Sequence, residues 1–367
     1  MSKLRHRAAV PDNISEEYYQ ISPGILNSFS KYRPPVDLFQ YRADNKALYP
    51  FSRKGQRLTN EQIEEVQALC ANQELFVSRT DHPIYSEHIV QQVDLVLLDA
   101  NLKDGEVADI LIRALHMRLK DFFDQPLMPA FEELYRDLMV YTEYLSQDKY
   151  KIKLFMRRLY TEHTLVNHSV NCLIVGIWLF FNGFAASDFK RRQLDRCAIS
   201  LLLHDFGMSK VPAFIVSKTT TLKAEEREKI LLHPLAGLKS LQKLNLGFDE
   251  LSQAVMEHQE RLDGTGYPQK VKELSKFGAL VALVDSFCAM ITKRPYAEPK
   301  PAVEAAKALS TDKRYANALI IPLLNAYLTG TLEVSKQEEN AFSNMCTTEL
   351  AEKPATEEDE NKTEDKA

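Results

Sequence analysis

The 367-residue chain has no paired cysteines. Its five, Cys70, Cys172, Cys197, Cys288 and Cys346, are scattered without a CxxC step, which speaks against a disulfide framework and fits a reducing compartment. Residues 1–11 are polar and basic and hold no apolar core, so no signal peptide is expected. The longest apolar run, residues 173–181, falls well short of the roughly 20 residues that a membrane-spanning helix needs. There is no excess of positive charge either: the net charge is -5, so a long nucleic-acid polymer is not an expected partner. A small anion can still be held where metal ions or one or two arginines supply local charge. These absences point to a soluble, cytoplasmic protein with no membrane insertion.

What is present is ordinary globular material, 45% apolar and 26% charged, long enough for two domains. Residues 1–35 are rich in proline and polar side chains and read as an extended lead-in. Over 36–100 a small α/β module is expected. Residues 36–41 alternate like a strand, residues 75–77 read as another, and Thr59-Asn60-Glu61-Gln62 before Ile63, Val66 and Leu69 signals a capped amphipathic helix. Helical spacing of Ile89, Val93, Val96 and Leu97, then of Ala108, Ile110, Leu111 and Leu115, then across 127–159, makes 101–158 a helical linker. Residues 159–330 are helical with glycine and proline kept to loops, and 331–367 form an acidic tail expected to be disordered. The fold class is mainly α. No acidic cluster in a doubly wound pattern marks a receiver domain at the N-terminal end.

Five separate positions in the helical region carry metal-binding side chains beside apolar runs. His168 opens an apolar helix through Cys172, Val175 and Leu179. His204-Asp205 closes a helix over 188–203 whose last turn is Leu201-Leu202-Leu203, and His233 lies near the end of a helix seeded by Ala224-Glu225-Glu226-Arg227. His258 ends a helix over 251–257, and Asp285 is the single charge within the apolar run 280–289. Each has an ordinary alternative: a capping histidine, a His-Asp hydrogen bond, or an arginine partner for the buried carboxylate. Taken together they suit ligands converging from several helices on a divalent centre with open positions.

The order His168, His204-Asp205-x-Gly207, His233, His258-Gln259-Glu260-x-x-Asp263-Gly264-x-Gly266-Tyr267-Pro268, Asp285 and Arg294-Pro295-Tyr296 resembles the HD-GYP family, over about residues 160–296. The resemblance implies an all-helical HD-type phosphohydrolase domain. It implies a two-metal phosphodiesterase that hydrolyses the bacterial second messenger cyclic di-GMP to pGpG and then GMP by a metal-activated hydroxide. By the same resemblance His204 and Asp205 are catalytic. The ligands of two iron or manganese ions are His168, His204, Asp205, His233, His258, Gln259 and Asp285, while Tyr267 and Arg294 hold the substrate's guanine or phosphate. Three departures stand out. Met208 replaces the lysine near the scissile phosphate, Gln259 replaces a histidine, and Thr164 replaces an acidic residue that some members place before the first histidine. They leave a second reading open, a weakened domain that binds cyclic di-GMP or a diguanylate cyclase or other signalling protein. A homodimer is a further open partner. A generic His-Asp hydrolase with another substrate is a third reading, which the Gly-Tyr-Pro turn argues against.

Overall fold

In the computed structural model, residues 17–332 are described together with Ile14, apart from 22, 28, 82–83, 85–92, 94–95, 98–101, 185–189 and 296. Ile89, Tyr296 and the acidic tail beyond Leu332 therefore lie outside the described residues.

The N-terminal part is a four-stranded antiparallel sheet. In chain order its elements are β1 (Tyr18–Gln20), the single turn α1 (Pro23–Leu26), β2 (Leu38–Arg42), β3 (Ala47–Ser52), α2 (Asn60–Ala71) and β4 (Leu75–Ser78). The strand order is β1-β4-β2-β3. The expected helix is α2, closed by a reciprocal box in which Gln62 N–H donates to Thr59 Oγ1 and Thr59 N–H to Gln62 Oε1. Ile63, Val66, Leu69 and Cys70 form its buried face. Two strands differ from expectation. β1 lies in the stretch expected to be an extended lead-in, where Tyr19 pairs with Val77 and is buried. β3 holds Pro50 opposite Phe39 and sits at the sheet edge, the place where a strand tolerates a residue with no N–H.

The helical part runs through α3 (Asp104–Asp124), α4 (Met128–Gln147), α5 (Ile152–Met156), α6 (Leu165–Gly183), α7 (Arg191–Leu203), α8 (Ala213–Val216) and α9 (Ala224–Leu231). It continues with α10 (His233–Lys243), α11 (Asp249–Glu257), α12 (Lys276–Ile291), α13 (Ala302–Thr311) and α14 (Ile321–Leu328). The segment expected to be a linker is part of this core. Phe122 of α3 stacks on Phe206 at 5.2 Å, and Thr142 of α4 donates to Asp195 of α7 at 2.7 Å. Residues 127–159 are not one continuous helix. The chain leaves α4 at Asp148, in an extended conformation, and the Asp148 carboxylate accepts from Tyr150 N–H to start the next turn.

Helix α6 is buried on every face from His168 to Phe180. By length and composition it could cross a membrane, which the run at 173–181 alone did not suggest, yet 72% of it is buried inside the protein. Each fully buried Leu or Ile contributes about 1.5–3 kcal/mol, so packing from all sides fixes this helix and the histidine it carries. α12 is the second such helix, with Leu280 to Cys288 buried around Asp285.

Candidate metal centre

The expected side chains reach one place from five directions. His168 stands on the first turn of α6, and His204 and Asp205 follow the last turn of α7. His233 begins α10 rather than ending α9, because α9 stops at Leu231 and Leu232 separates the two helices. His258 is the C-terminal cap of α11, and Asp285 lies midway along α12. The turn after Asp205 must pass very close to α10: a Cβ on Gly207 would lie 1.9 Å from the His233 carbonyl oxygen. Glycine there is what lets Asp205 and His233 meet.

Two sets of donors result. His233 Nε2 and His258 Nε2 are 2.8 Å apart and lie 3.3 and 3.8 Å from Asp205 Oδ1. On the other side His168 Nε2 and His204 Nε2 lie 3.0 and 3.9 Å from Asp285 Oδ1. The His204 and His258 rings pack edge to face at 5.1 Å and link the sets.

Tautomers decide what these contacts mean. His204, His233 and His258 each direct Nδ1 at a main-chain carbonyl: Leu201 at 2.7 Å, Ile230 at 2.6 Å and Val255 at 2.8 Å. A carbonyl only accepts, so each Nδ1 carries the proton and each Nε2 presents a lone pair, the arrangement that orients an imidazole for a metal. Two lone pairs then face each other at 2.8 Å. Protonation does not resolve the clash, since burial and the neighbouring histidine push His258 well below its ordinary value, and burial lowers His233 as well. A cation between them does resolve it. His204 Nε2 and Asp205 Oδ1 are also buried without a hydrogen-bond partner, so the donor set fits divalent metal ions.

The carboxylates ask for the same charge. Burial, and then the nearby Asp285, push Asp205 well above the usual carboxylate range, with Arg294 opposing. Burial also raises Asp285, but the His168 hydrogen bond and the fields of His168, His258 and His204 outweigh it and hold it below that range.

The surrounding positions divide into those that touch the centre and those that build it. Gln259 donates from Nε2 to Asp285 Oδ2 at 3.0 Å, so its amide steadies a carboxylate of the centre. Glu260 is fully buried, and its Oε1 accepts from Gln269 and Lys270 N–H, pinning the Gly-Tyr-Pro loop. That loop closes over its own base: a Cβ on Gly266 would lie 2.4 Å from Glu260 Cα. Tyr267 meets the His233 ring edge to face at 6.1 Å. Arg294 is tied beside His163 through the Lys293 pairing with Thr161 and Glu162, and its charge acts on both His163 and Asp205. Lys210 turns its ammonium to the Phe206 ring at 5.5 Å. Thr164 is the N-cap of α6, accepting from Asn167 N–H at 3.0 Å.

Three residues beside the centre were not singled out by sequence. Cys172 Sγ lies 3.6 Å from His168 Nε2, and the His163 ring is 5.3 Å from that of His168. The His168-x-x-x-Cys172 spacing, one helical turn, was the available signal for the first. Arg227, exposed on α9, acts on the Tyr267 hydroxyl, which nothing in the sequence could show. A cavity of about 660 Å³ lined by Gly183, Phe184, Leu262, Lys276, Lys313 and Tyr315 contains none of the clustered donors, so shape alone does not mark the chemistry.

Comparison with known proteins agrees with this geometry. The family described as HD domain matches residues 184–317. A cyclic di-GMP phosphodiesterase of Thermotoga maritima is 40% identical over 106 residues, covering 28% of this chain and 29% of that protein. A 3'3'-cGAMP-specific phosphodiesterase 3 of Vibrio cholerae is 33% identical over 156 residues, covering 42% and 32%. The cyclic di-GMP phosphodiesterase PdeB of Borreliella burgdorferi is 30% identical over 131 residues, covering 35% and 33%. The chain thus spans about a third of the length of these relatives. Among solved structures, Bd1817, an HDG"Y"P protein from Bdellovibrio bacteriovorus, superposes with a TM-score of 0.56 at 18% identity, over 85% of this chain and 99% of that one. That likeness of fold is too extensive to involve the helical part alone. Matched residues, motif order and fold agree: residues 184–317 match the HD domain family, and the helical part of this chain is similar to phosphodiesterases of cyclic dinucleotides.

Proposed function

We propose that this chain is a metal-dependent phosphodiesterase that hydrolyses cyclic di-GMP to pGpG, and to GMP where the linear product binds again. The observation that carries it is the pair of buried imidazole lone pairs facing each other at 2.8 Å beside Asp205, in a domain whose relatives are phosphodiesterases of cyclic dinucleotides.

His168, His204, Asp205, His233, His258 and Asp285 would hold two divalent ions, iron or manganese. Bound there, the ions would neutralise phosphate charge and lower the pKa of a shared water. The chain's own residues do the rest. The three carbonyl-braced imidazoles keep their Nε2 atoms aimed inward, and Gln259 fixes the Asp285 carboxylate through Oδ2. Burial, and then the charges of Asp285 and Asp205, push the Tyr267 hydroxyl above its ordinary value. It therefore stays protonated and can donate to a phosphate oxygen. Arg294 supplies a cation suited to two parallel hydrogen bonds with phosphate. With Met208 uncharged and Lys210 turned to Phe206, Arg294 and Tyr267 carry the substrate side. The free, buried Cys70, Cys172, Cys197 and Cys288 support a reducing, cytoplasmic setting.

The test is turnover by anaerobically purified protein loaded with iron or manganese, with Asp205→Ala alongside, on cyclic di-GMP and 3'3'-cGAMP separately. Turnover of cyclic di-GMP that vanishes in the variant is the expected result. Preference for 3'3'-cGAMP would move the substrate, and binding without turnover of either would make the domain a receptor.

A further inference from the structure

One cysteine stands where a metal ligand would. His168 and Cys172 are one helical turn apart on α6, so both face the α7 end that presents His204. The ligand atoms of His168, Cys172 and His204 lie within 4.8 Å of one another, and all three residues are buried. Asp285 Oδ1 adds a fourth donor, 3.0 Å from His168 Nε2 and 3.9 Å from His204 Nε2, while Cys172 Sγ is 3.6 Å from His168 Nε2. Tetrahedral donors at ordinary zinc–nitrogen and zinc–sulfur lengths stand about 3.3–3.6 Å apart, so the 3.6 Å between Cys172 Sγ and His168 Nε2 is that of two ligands of one ion, and the 3.0 and 3.9 Å of Asp285 Oδ1 bracket the range. His204 Nε2, a lone pair by its tautomer, has no hydrogen-bond partner. The ordinary alternative is an inert thiol sharing a hydrogen bond with Cys288 on α12.

We propose that Cys172 is a ligand of the centre: its sulfur, with His168, His204 and Asp285, completes a four-donor set for a thiophilic divalent ion. On binding, the thiol proton leaves to solvent and sulfur bonds the metal as thiolate, and the proton that His168 Nε2 directs at Asp285 Oδ1 is lost with it, His168 keeping its other proton on Nδ1. Gln259 fits this assignment, because its amide occupies Asp285 Oδ2 and leaves Oδ1 to the ion. A thiolate favours iron or zinc over manganese, so the two halves of the centre differ in which metals they accept. The inference rests on the metal-centre reading above and adds a ligand to it.

The experiment is anaerobic titration of the chelator-stripped full chain with cobalt(II), followed by absorption and bound-metal analysis. Cys172→Ala, Cys172→Ser and Cys288→Ala are compared with the unaltered protein, with circular dichroism to confirm folding. Cyclic di-GMP turnover is measured in parallel. The unaltered protein should show a near-ultraviolet thiolate-to-cobalt band beside the visible cobalt bands. Both Cys172 variants should lose the near-ultraviolet band and about half the bound cobalt, keeping the visible signal of the Asp205 half. Cys288→Ala should retain the band. Cobalt bound without that band, or a band that survives Cys172→Ala, overturns the assignment while leaving the metal centre standing. Failure to bind cobalt at all overturns both. A normal band without turnover supports the ligand and sinks only the proposed activity.

Discussion

The two halves of the centre are built in different ways. Asp205, His233 and His258 all come from helix ends, and both histidines are braced through Nδ1 by carbonyls of the preceding turn. His168, Cys172 and Asp285 instead project from the long buried helices α6 and α12 and are held by other side chains, while His204, in the same half, is the one member braced by a carbonyl, that of Leu201. Helix-end ligands are positioned by backbone, and between Asp205 and His233 that backbone is tightly constrained, since Gly207 leaves no room for a Cβ. Mid-helix ligands are positioned by packing, which tolerates a change of donor. That difference fits a thiol standing in reach of His168 on α6.

Asp205 belongs to the braced half and supplies its one carboxylate, so its removal should have the largest effect. Asp205→Ala is expected to abolish turnover and to weaken metal binding by more than the roughly 10–100-fold that loss of an outer partner costs. Metal analysis after dialysis, beside an activity assay, checks this. A variant that keeps both metals would show that the braced half does not depend on its carboxylate.

Acid is the next way to break the comparison. Burial holds His204 down to about 4 from an ordinary 6.5, and lowers His233 and His258 too. Between those values the unfolded chain binds more protons than the folded one, so stability is fully present above about pH 6.5 and is lost as pH falls toward 4. For His204 alone the loss is about 3 kcal/mol. Asp205, whose carboxyl is raised by burial, opposes this, while lowered Asp285 changes charge below the window. With His163 also lowered, to about 3, a net loss is the expected outcome. Thermal melts of stripped and metal-loaded protein across that range should diverge, because protons compete with metal for Nε2. Equal melting temperatures at pH 4.5 and 7 in the stripped protein would contradict it.

How much of this could be read in the sequence follows the same division. The capped α2 and the apolar helices around His168 and Asp285 were legible, because periodicity and capping are local, and the order of the candidate ligands followed from the family resemblance of the motifs. The break at Leu232 that makes His233 a first residue of α10 was not, since Glu228 and Ile230 close α9 through main-chain bonds that no side-chain pattern announces. Strand β1 was hidden because its pairing with β4 spans nearly the whole module, and β3 because Pro50 reads as a breaker. The contact of Gln259 with Asp285 bridges 26 residues and depended on the fold.

That contact gives a smaller test. Gln259→Ala frees Asp285 Oδ2 and should weaken metal at the mid-helix half by about 10-fold, leaving the Asp205 half unchanged. Sequential metal loading followed by calorimetry separates the two. A uniform loss at both halves would mean that the centre behaves as one unit and the contrast drawn above has no energetic content.

The smallest effect expected is a gain. Met208 follows the braced half by three residues, in the 3-10 turn Phe206–Lys210, and is partly exposed there. Lys210 does not replace the charge, since it is drawn onto Phe206, itself buried against Phe122 and Phe123. Met208→Lys should place an ammonium near the phosphate side of Asp205 without disturbing packing, because a long unbranched chain replaces another. Turnover should rise severalfold, less than the roughly 10²–10³-fold associated with one preorganised donor to a transition-state charge. The gain should appear in kcat more than in KM, since Arg294 and Tyr267 already serve substrate binding. A lower KM with unchanged kcat would place the new charge against the ground state, and would show that the braced half is complete without it.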